Sequence, residues 1–132
     1  MPKYLSGYAS WQRDDANIVG SVFGSEFALW DTSILKGGKP FATGATFAEG
    51  GHRFRWCPSF PDYFAISAAT VTSGGAVINV DNVRHLQTQA TAIEIAPRPH
   101  RVTDFDWLAS GNTPRLAVAV GRDVYVFPIS VD

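Results

Sequence analysis

"HRFRWCPSFPDYFAIS", residues 52–67, decides how the rest of the chain is read. A short run closes on Trp56, a Cys-Pro turn follows, and an apolar run opens behind a second Pro-Asp turn. Two aromatic-rich runs divided by proline-bearing polar residues are the pattern of a β-hairpin with a medium-length loop. The same arrangement recurs on either side. "GYASW" ends at Trp11 and "VTDFDW" at Trp107, so that Trp11 and Trp56 stand 45 residues apart and Trp56 and Trp107 stand 51 apart. After each tryptophan comes a polar or proline-containing turn ("QRDDAN", "CPSFPD", "LASGNTP") and then a second apolar run ("IVGSVFG", "YFAISAA", "RLAVAVG").

A third run follows in every unit, "EFALWDTS", "AVINVDN" and "DVYVFPI", and a fourth, "ATGATFA" and "TAIEIA", in the first two. Four short strands repeated at about 40 to 50 residues are the signature of propeller blades. The repeats are expected over residues 4–48, 52–97 and 101–132, the last lacking its final strand, as one propeller segment. No helix is expected. "NVRHLQTQATAIEI" has a helical look around Arg84 to Thr91, but its β-branched residues and the lack of a capping box make it a loop leading into a strand.

Composition agrees. Of 132 residues, 45% are apolar and 17% charged, the balance of a folded chain rather than a disordered one. Lysine occurs only at Lys3, Lys36 and Lys39 and glutamate only at Glu26, Glu49 and Glu94, which starves surface helices of their usual residues. A net charge of −1 gives no general attraction to nucleic acid or an anionic membrane. The single cysteine, Cys57, rules out an internal disulfide or a CxxC site and fits a reducing, intracellular setting, cytoplasmic or nuclear. The opening residues "MPKYLSGYASW" lack a basic segment followed by an apolar core and no apolar run reaches the length of a spanning helix, so a soluble chain is expected.

On these residues the chain resembles the WD40 repeat family. Trp30-Asp31 matches the family's strand-ending pair, "RWCPSFPDYFAIS" resembles its Trp-x-Pro turn and small apolar second strand, and Gly51-His52 stands for its Gly-His, four residues before Trp56 and closer than usual. Trp-Asp occurs once only, and the first unit makes its second turn from Gly24, Ser25 and Glu26 without the family's aspartate. The family's side-chain tetrad is thus expected to be incomplete, leaving the blades to rely on packing. The resemblance implies an all-β, WD40-like propeller segment. A non-catalytic scaffold within a multiprotein complex is the function that goes with it. Three units do not close a ring of four to eight blades, so the chain is expected to be part of a longer protein or completed by another chain, with two copies forming a six-bladed ring as one solution.

Other readings stand beside this one. A small β-barrel or sandwich enzyme would use Asp104 and Asp106, two apart on a strand and so on one face; the pair is instead expected to cap a turn or to meet Arg101 or Arg115. His52, His85, His100 and Cys57 lack the spacing of a zinc site, and His52 and His100 are expected in connections before a first strand. No phosphate-loop or dinucleotide pattern surrounds the glycine pairs at 37–38, 50–51 and 74–75, so no cofactor is expected, while Gly20 and Gly24 are expected to permit a bulge. The connection "APRPHRV" is the candidate partner-binding loop: two prolines stiffen it, and Arg98, His100 and Arg101 project from it. Expected partners are other proteins, including strands that complete the propeller, with a homodimer among the forms; histone-tail or nucleic-acid recognition through the arginine loop is the alternative.

Overall fold

The structure, a computed structural model, describes residues 7–12, 17–34, 39–68, 75–86, 91–108 and 112–130. Gly37, Gly38, Gly74 and the outermost residues of the first and last repeats lie outside the described residues. Three antiparallel sheets follow one another along the chain. The first holds β1 (Gly7–Trp11), β2 (Ile18–Phe23), β3 (Glu26–Asp31) and β4 (Ala42–Ala45). The second holds β5 (Gly51–Trp56), β6 (Tyr63–Ala68), β7 (Ala76–Asn82) and β8 (Thr91–Ala96). The third holds β9 (Val102–Leu108), β10 (Arg115–Val120) and β11 (Asp123–Pro128). Each sheet is a meander in chain order, so these are separate blade-like sheets of a propeller-like stack rather than one barrel wall.

The register repeats as well as the topology. Trp11 pairs with Val19, Trp56 with Phe64 and Trp107 with Leu116, so the tryptophan of each first strand sits opposite the opening of the second. Alternation then sorts the side chains. In β10, Leu116, Val118 and Val120 turn inward while Arg115 turns out. β5 buries Phe54 and Trp56 on one face and places Arg53 and Arg55 on the other.

The sheets stack through their faces. Between the first and second lie Val22, Phe27, Leu29, Phe54, Trp56, Phe64 and Ile66. The Phe54 and Phe64 rings stack at 4.6 Å, and Phe27 meets Phe64 edge-on at 5.3 Å. Between the second and third, Ala65, Ile78 and Val80 receive Phe105, Trp107, Leu116 and Val118. Burying each large side chain contributes about 1.5–3 kcal/mol, so these seams hold most of the cohesion between the blades. Trp56 Nε1 donates to the Ser10 carbonyl at 2.9 Å, and Trp107 Nε1 donates to the Arg55 carbonyl at 3.1 Å. Each bond joins an indole to the residue just before the preceding blade's tryptophan.

Several expectations need correction. Gly20 makes no bulge: a Cβ there would overlap the Cζ edge of the Phe54 ring, so the glycine is a hollow for the neighbouring blade's aromatic side chain. Gly24 is a turn residue at φ 59°, and the register shifts lie elsewhere, between Gly51 and Phe54, Ala76 and Val77, and Ala119 and Val120. His52 lies in β5 itself rather than in the connection before it. Val83–His85 forms a single 3-10 turn, and Asn82 caps it by accepting from the Arg84 amide at 2.9 Å. Asp31 does the same in the first blade, accepting from the Ser33 amide at 3.0 Å ahead of the 3-10 turn Thr32–Ile34.

Because the Phe54 ring fills the space over Gly20, Gly20→Ala forces ring and strand apart. It is expected to lower stability by about 1–3 kcal/mol, read as an earlier urea midpoint at an unchanged slope.

Candidate functional site

Antiparallel order sends the β2–β3 and β10–β11 turns and the β4–β5 and β8–β9 connections to one end of the stack. The β8–β9 connection is the predicted partner loop. Pro97, Arg98, Pro99, His100 and Arg101 are all exposed, and the His100 amide closes the turn on the Pro97 carbonyl at 3.1 Å. The Arg98–Pro99 peptide is cis. Gly75, at φ 90°, lies directly beneath: a Cβ there would meet the Ala96 carbonyl oxygen and press on the Pro97 and Arg98 backbone. Only glycine lets the loop lie this close. Among the described residues, neither Arg98 nor Arg101 has an ion-pair partner.

Below the loop the inner strands carry a polar cluster. Arg53 Nε stands 3.3 Å and Arg55 Nη2 3.2 Å from the same Asp104 oxygen, Oδ1. Arg55 donates a hydrogen bond there, whereas Arg53 Nε is not aimed at the oxygen, so its pairing is one of charge alone. The two guanidinium groups also lie over aromatic rings, Arg53 at 5.5 Å from the centre of Tyr8 and Arg55 at 5.9 Å from that of Phe105. Arg53 thereby touches the first blade and the third while belonging to the second. Partial burial opposes ionisation of Asp104, but the Phe105 amide, the Arg55 hydrogen bond and the two arginine charges prevail and hold its carboxyl below the ordinary value. His52 shifts downward through burial first, then through the charges of Arg53 and Arg101, against the pull of Asp104. Arg101 therefore adds to the positive field at His52 beside Arg53, on an end surface that also carries Glu49 in the β4–β5 connection and Asp123 at the β10–β11 turn. Such a surface can receive a carboxylate or phosphate in two-point contact with guanidinium groups.

Asp104 and Asp106 do share a face, with a different outcome from the one expected. Asp104 meets Arg53 and Arg55, not Arg101 or Arg115, and Asp106 accepts from the Trp107 amide at 2.9 Å. Cys57 is buried in the seam beneath the third blade, His85 lies in the 3-10 turn after β7, and His100 sits in the exposed connection. Among the described residues no three His, Cys, Asp or Glu side chains gather closely enough to hold a metal. No helix of the described residues is long and apolar enough to cross a membrane. Of the repeat positions, Trp56 and Trp107 are buried, Trp30 binds Ser21 Oγ at 2.9 Å within its own blade, and Trp11 is 59% exposed.

Sequence reading passed over Arg53 and Arg55. Their signal was the alternation in "HRFRW", which puts both arginines on one face and Phe54 with Trp56 on the other. It passed over Asp81 too. The pairing of Phe64 with Asp81 sets this carboxylate on the face turned to the first blade, where Trp30 stands in the preceding repeat. Burial pushes its pKa up to about 6, and its Oδ2 has no hydrogen-bond partner among the described residues.

No known sequence family matches the chain, and no curated protein is similar to it in sequence. Among solved structures it is similar to a chain described as "Crystal Structure of Mitotic Checkpoint Complex", at 16% identity and a TM-score of 0.67. The likeness covers 96% of this chain and 36% of that one, so the chain spans about a third of the length of the solved chain it matches. At that identity the likeness shows the fold.

Asp81 generates a pH dependence. Its folded pKa, about 6, lies above the ordinary 3.8, so the folded state binds the extra proton between these values and loses stability as pH rises through them. The penalty is absent below about pH 4 and complete above about pH 6, on the order of 3 kcal/mol for a shift of this size. Asp81→Asn is therefore expected to raise the melting temperature at pH 7.5 and to leave it nearly unchanged at pH 4, as measured by thermal denaturation followed by circular dichroism.

Proposed function

We propose that the chain is a propeller segment that works as a non-catalytic protein-interaction scaffold in a multiprotein assembly, and that it binds partners through the connection Pro97–Arg101. The observation that carries this reading is the loop itself. It is exposed along its whole length and closely approached by Gly75, and its Arg101 adds to the charge of Arg53 at His52, while only Asp104 is paired in charge with Arg53 and Arg55 among the described residues. A loop stiffened by two prolines presents its side chains with little ordering cost on binding, and arginine is among the residues that dominate interfaces. A protein segment bearing carboxylates is the chemistry that fits. That the similar solved chain comes from a protein complex agrees with a role in assembly.

Catalysis is not part of the proposal. Asp104 and Asp106 are spent on Arg53, Arg55 and the Trp107 amide, and a carboxyl held ionised by two arginines is a poor general acid. The intracellular setting belongs to the same reading and is supported by Cys57, free and buried.

The test is selection of displayed peptides on the chain, with the double variant Arg98→Glu, Arg101→Glu as the counter-target. Acidic peptides are expected to be enriched on the unaltered chain and to lose at least tenfold in affinity on the variant, whose circular dichroism stays the same. Equal binding to both would remove the loop from the reading. Asp104→Ala supplies a second check. Side chains this exposed make their ion pairs worth only about 0–1 kcal/mol, so the variant is expected to fold with a midpoint close to that of the parent chain.

A further inference from the structure

The two internal junctions are built alike, and each end of the stack presents half of a third. On the face that meets the following blade, Phe27 and Leu29 occupy the third strand of the first blade, and Ile78 and Val80 that of the second; all four are buried. The register carries these positions onto the third blade. Phe27 pairs with Val22, Ile78 with Ser67 and Val124 with Ala119, while Leu29 pairs with Gly20, Val80 with Ala65 and Val126 with Ala117. Val124 and Val126 are therefore the counterparts of four buried residues, yet they are 68% and 57% exposed. The opposite face repeats the pattern. Trp56 and Trp107 are 6% exposed where they enter the preceding blade, and Trp11, in the same register, is 59% exposed with no partner for its Nε1 among the described residues.

One end thus offers an unused tryptophan and the other an unused apolar face, the two components that meet at both internal junctions. The geometry points to a second copy of this chain as the occupant, joined head to tail, with the Trp11 face of one copy lying on the Val124 and Val126 face of the other. The Trp11 indole donates to the Asp106 carbonyl, which stands where the Ser10 and Arg55 carbonyls stand in the internal bonds. The pairing is smaller at one point than the internal junctions: Ala9 stands in the place of Phe54 and Phe105, and Ala117 in the place of Gly20 and Ala65, so the contact rests on Trp11, Val124 and Val126 and meets no steric clash between these two positions. A head-to-tail contact repeats until the rotation closes, and two copies bring six blades, inside the range of closed propellers. The inference rests on the propeller reading of the fold and is independent of what the arginine loop binds.

Light scattering after size exclusion, together with circular dichroism, tests it on the full chain and on two variants, Trp11→Ala and Val126→Arg. Both altered residues are exposed, so each variant keeps its β signal. The unaltered chain is expected at twice its 14.3 kDa and each variant alone at the mass of one chain. An equimolar mixture of the two variants is expected to regain pairs, because one intact Trp11 then meets one intact apolar face. A β-rich single chain in place of the pair overturns the inference and leaves the fold standing, whereas a single chain without β signal overturns both. Variants that pair as well as the unaltered chain, or a mixture that stays unpaired, also overturn it.

Discussion

The bond from a first-strand indole to the carbonyl before the preceding tryptophan sets the geometry on which the other inter-blade contacts depend. A hydrogen bond of this kind contributes only about 1 kcal/mol net, but it is directional where hydrophobic packing is not. Trp56 fixes the second blade against Ser10, and Trp107 fixes the third against Arg55, at 2.9 and 3.1 Å. Once those points are pinned, the alternation of each strand decides which rings enter the seam. Phe54 then falls over Gly20, and Phe105 and Trp107 fall among Ala65, Ile78 and Val80. The small residues at Gly20 and Ala65 are the other half of the constraint, because a larger side chain at either place would hold the blades apart.

The same inner strands carry the electrostatics. β5 separates its aromatic side chains from its arginines by strict alternation, so packing and charge are arranged by one strand without competing. Arg53 and Arg55 converge on one Asp104 oxygen and lie over Tyr8 and Phe105, which spreads contacts of the second blade across both neighbours. One carboxylate offsets two guanidinium groups, and Arg101 adds to the field felt at His52. Around His52 the guanidinium groups therefore outnumber the one carboxylate, in a chain whose net charge is −1. Whole-molecule charge was a poor guide to this surface because it averages over blades that face different ways.

How much of this was legible follows from which signals are local. Strand runs, the turn at Gly24 and Ser25, and the tryptophan spacing are properties of neighbouring residues, and the observed strands follow the runs read from the sequence except that β5 begins one residue earlier, at Gly51, and β9 ends one residue later, at Leu108. Contacts between blades are not local, so the hollow at Gly20 looked like a bulge and the partners of Asp104 were sought in Arg101 and Arg115. The apparent loss of the Trp-Asp pair in the second unit is instructive. Asn82 stands where Asp31 stands and caps the same 3-10 turn with the same acceptor geometry, so amide replaced carboxylate without loss of the hydrogen bond. Asp81, in the place of Trp30, is the real departure, since it puts a carboxylate where an indole stands in the first blade.

A stack of blades gains its stability from nearest neighbours, and among the described residues the first and third blades each meet one neighbour. The second blade is covered on both faces and holds Phe54, Phe64, Ile66 and Ile78 fully buried. Among the described residues, the first and third blades each have one face covered by another blade. Leaving Trp11 or Val126 half in water forfeits part of the about 1.5–3 kcal/mol that full burial of a large side chain contributes, against a net stability of roughly 5–15 kcal/mol for an ordinary domain. The polar residues that usually cap a solenoid are missing from Val124 and Val126, whereas Ala9 and Ser21 on the outer face of the first blade are smaller than their buried counterparts Phe54 and Ile66. The two ends are therefore unlike, one reduced in bulk around a single exposed indole and the other broad and apolar. This asymmetry favours a directional contact over a self-symmetric one, because two copies of the same end would set indole against indole or valine against valine without reproducing either internal junction.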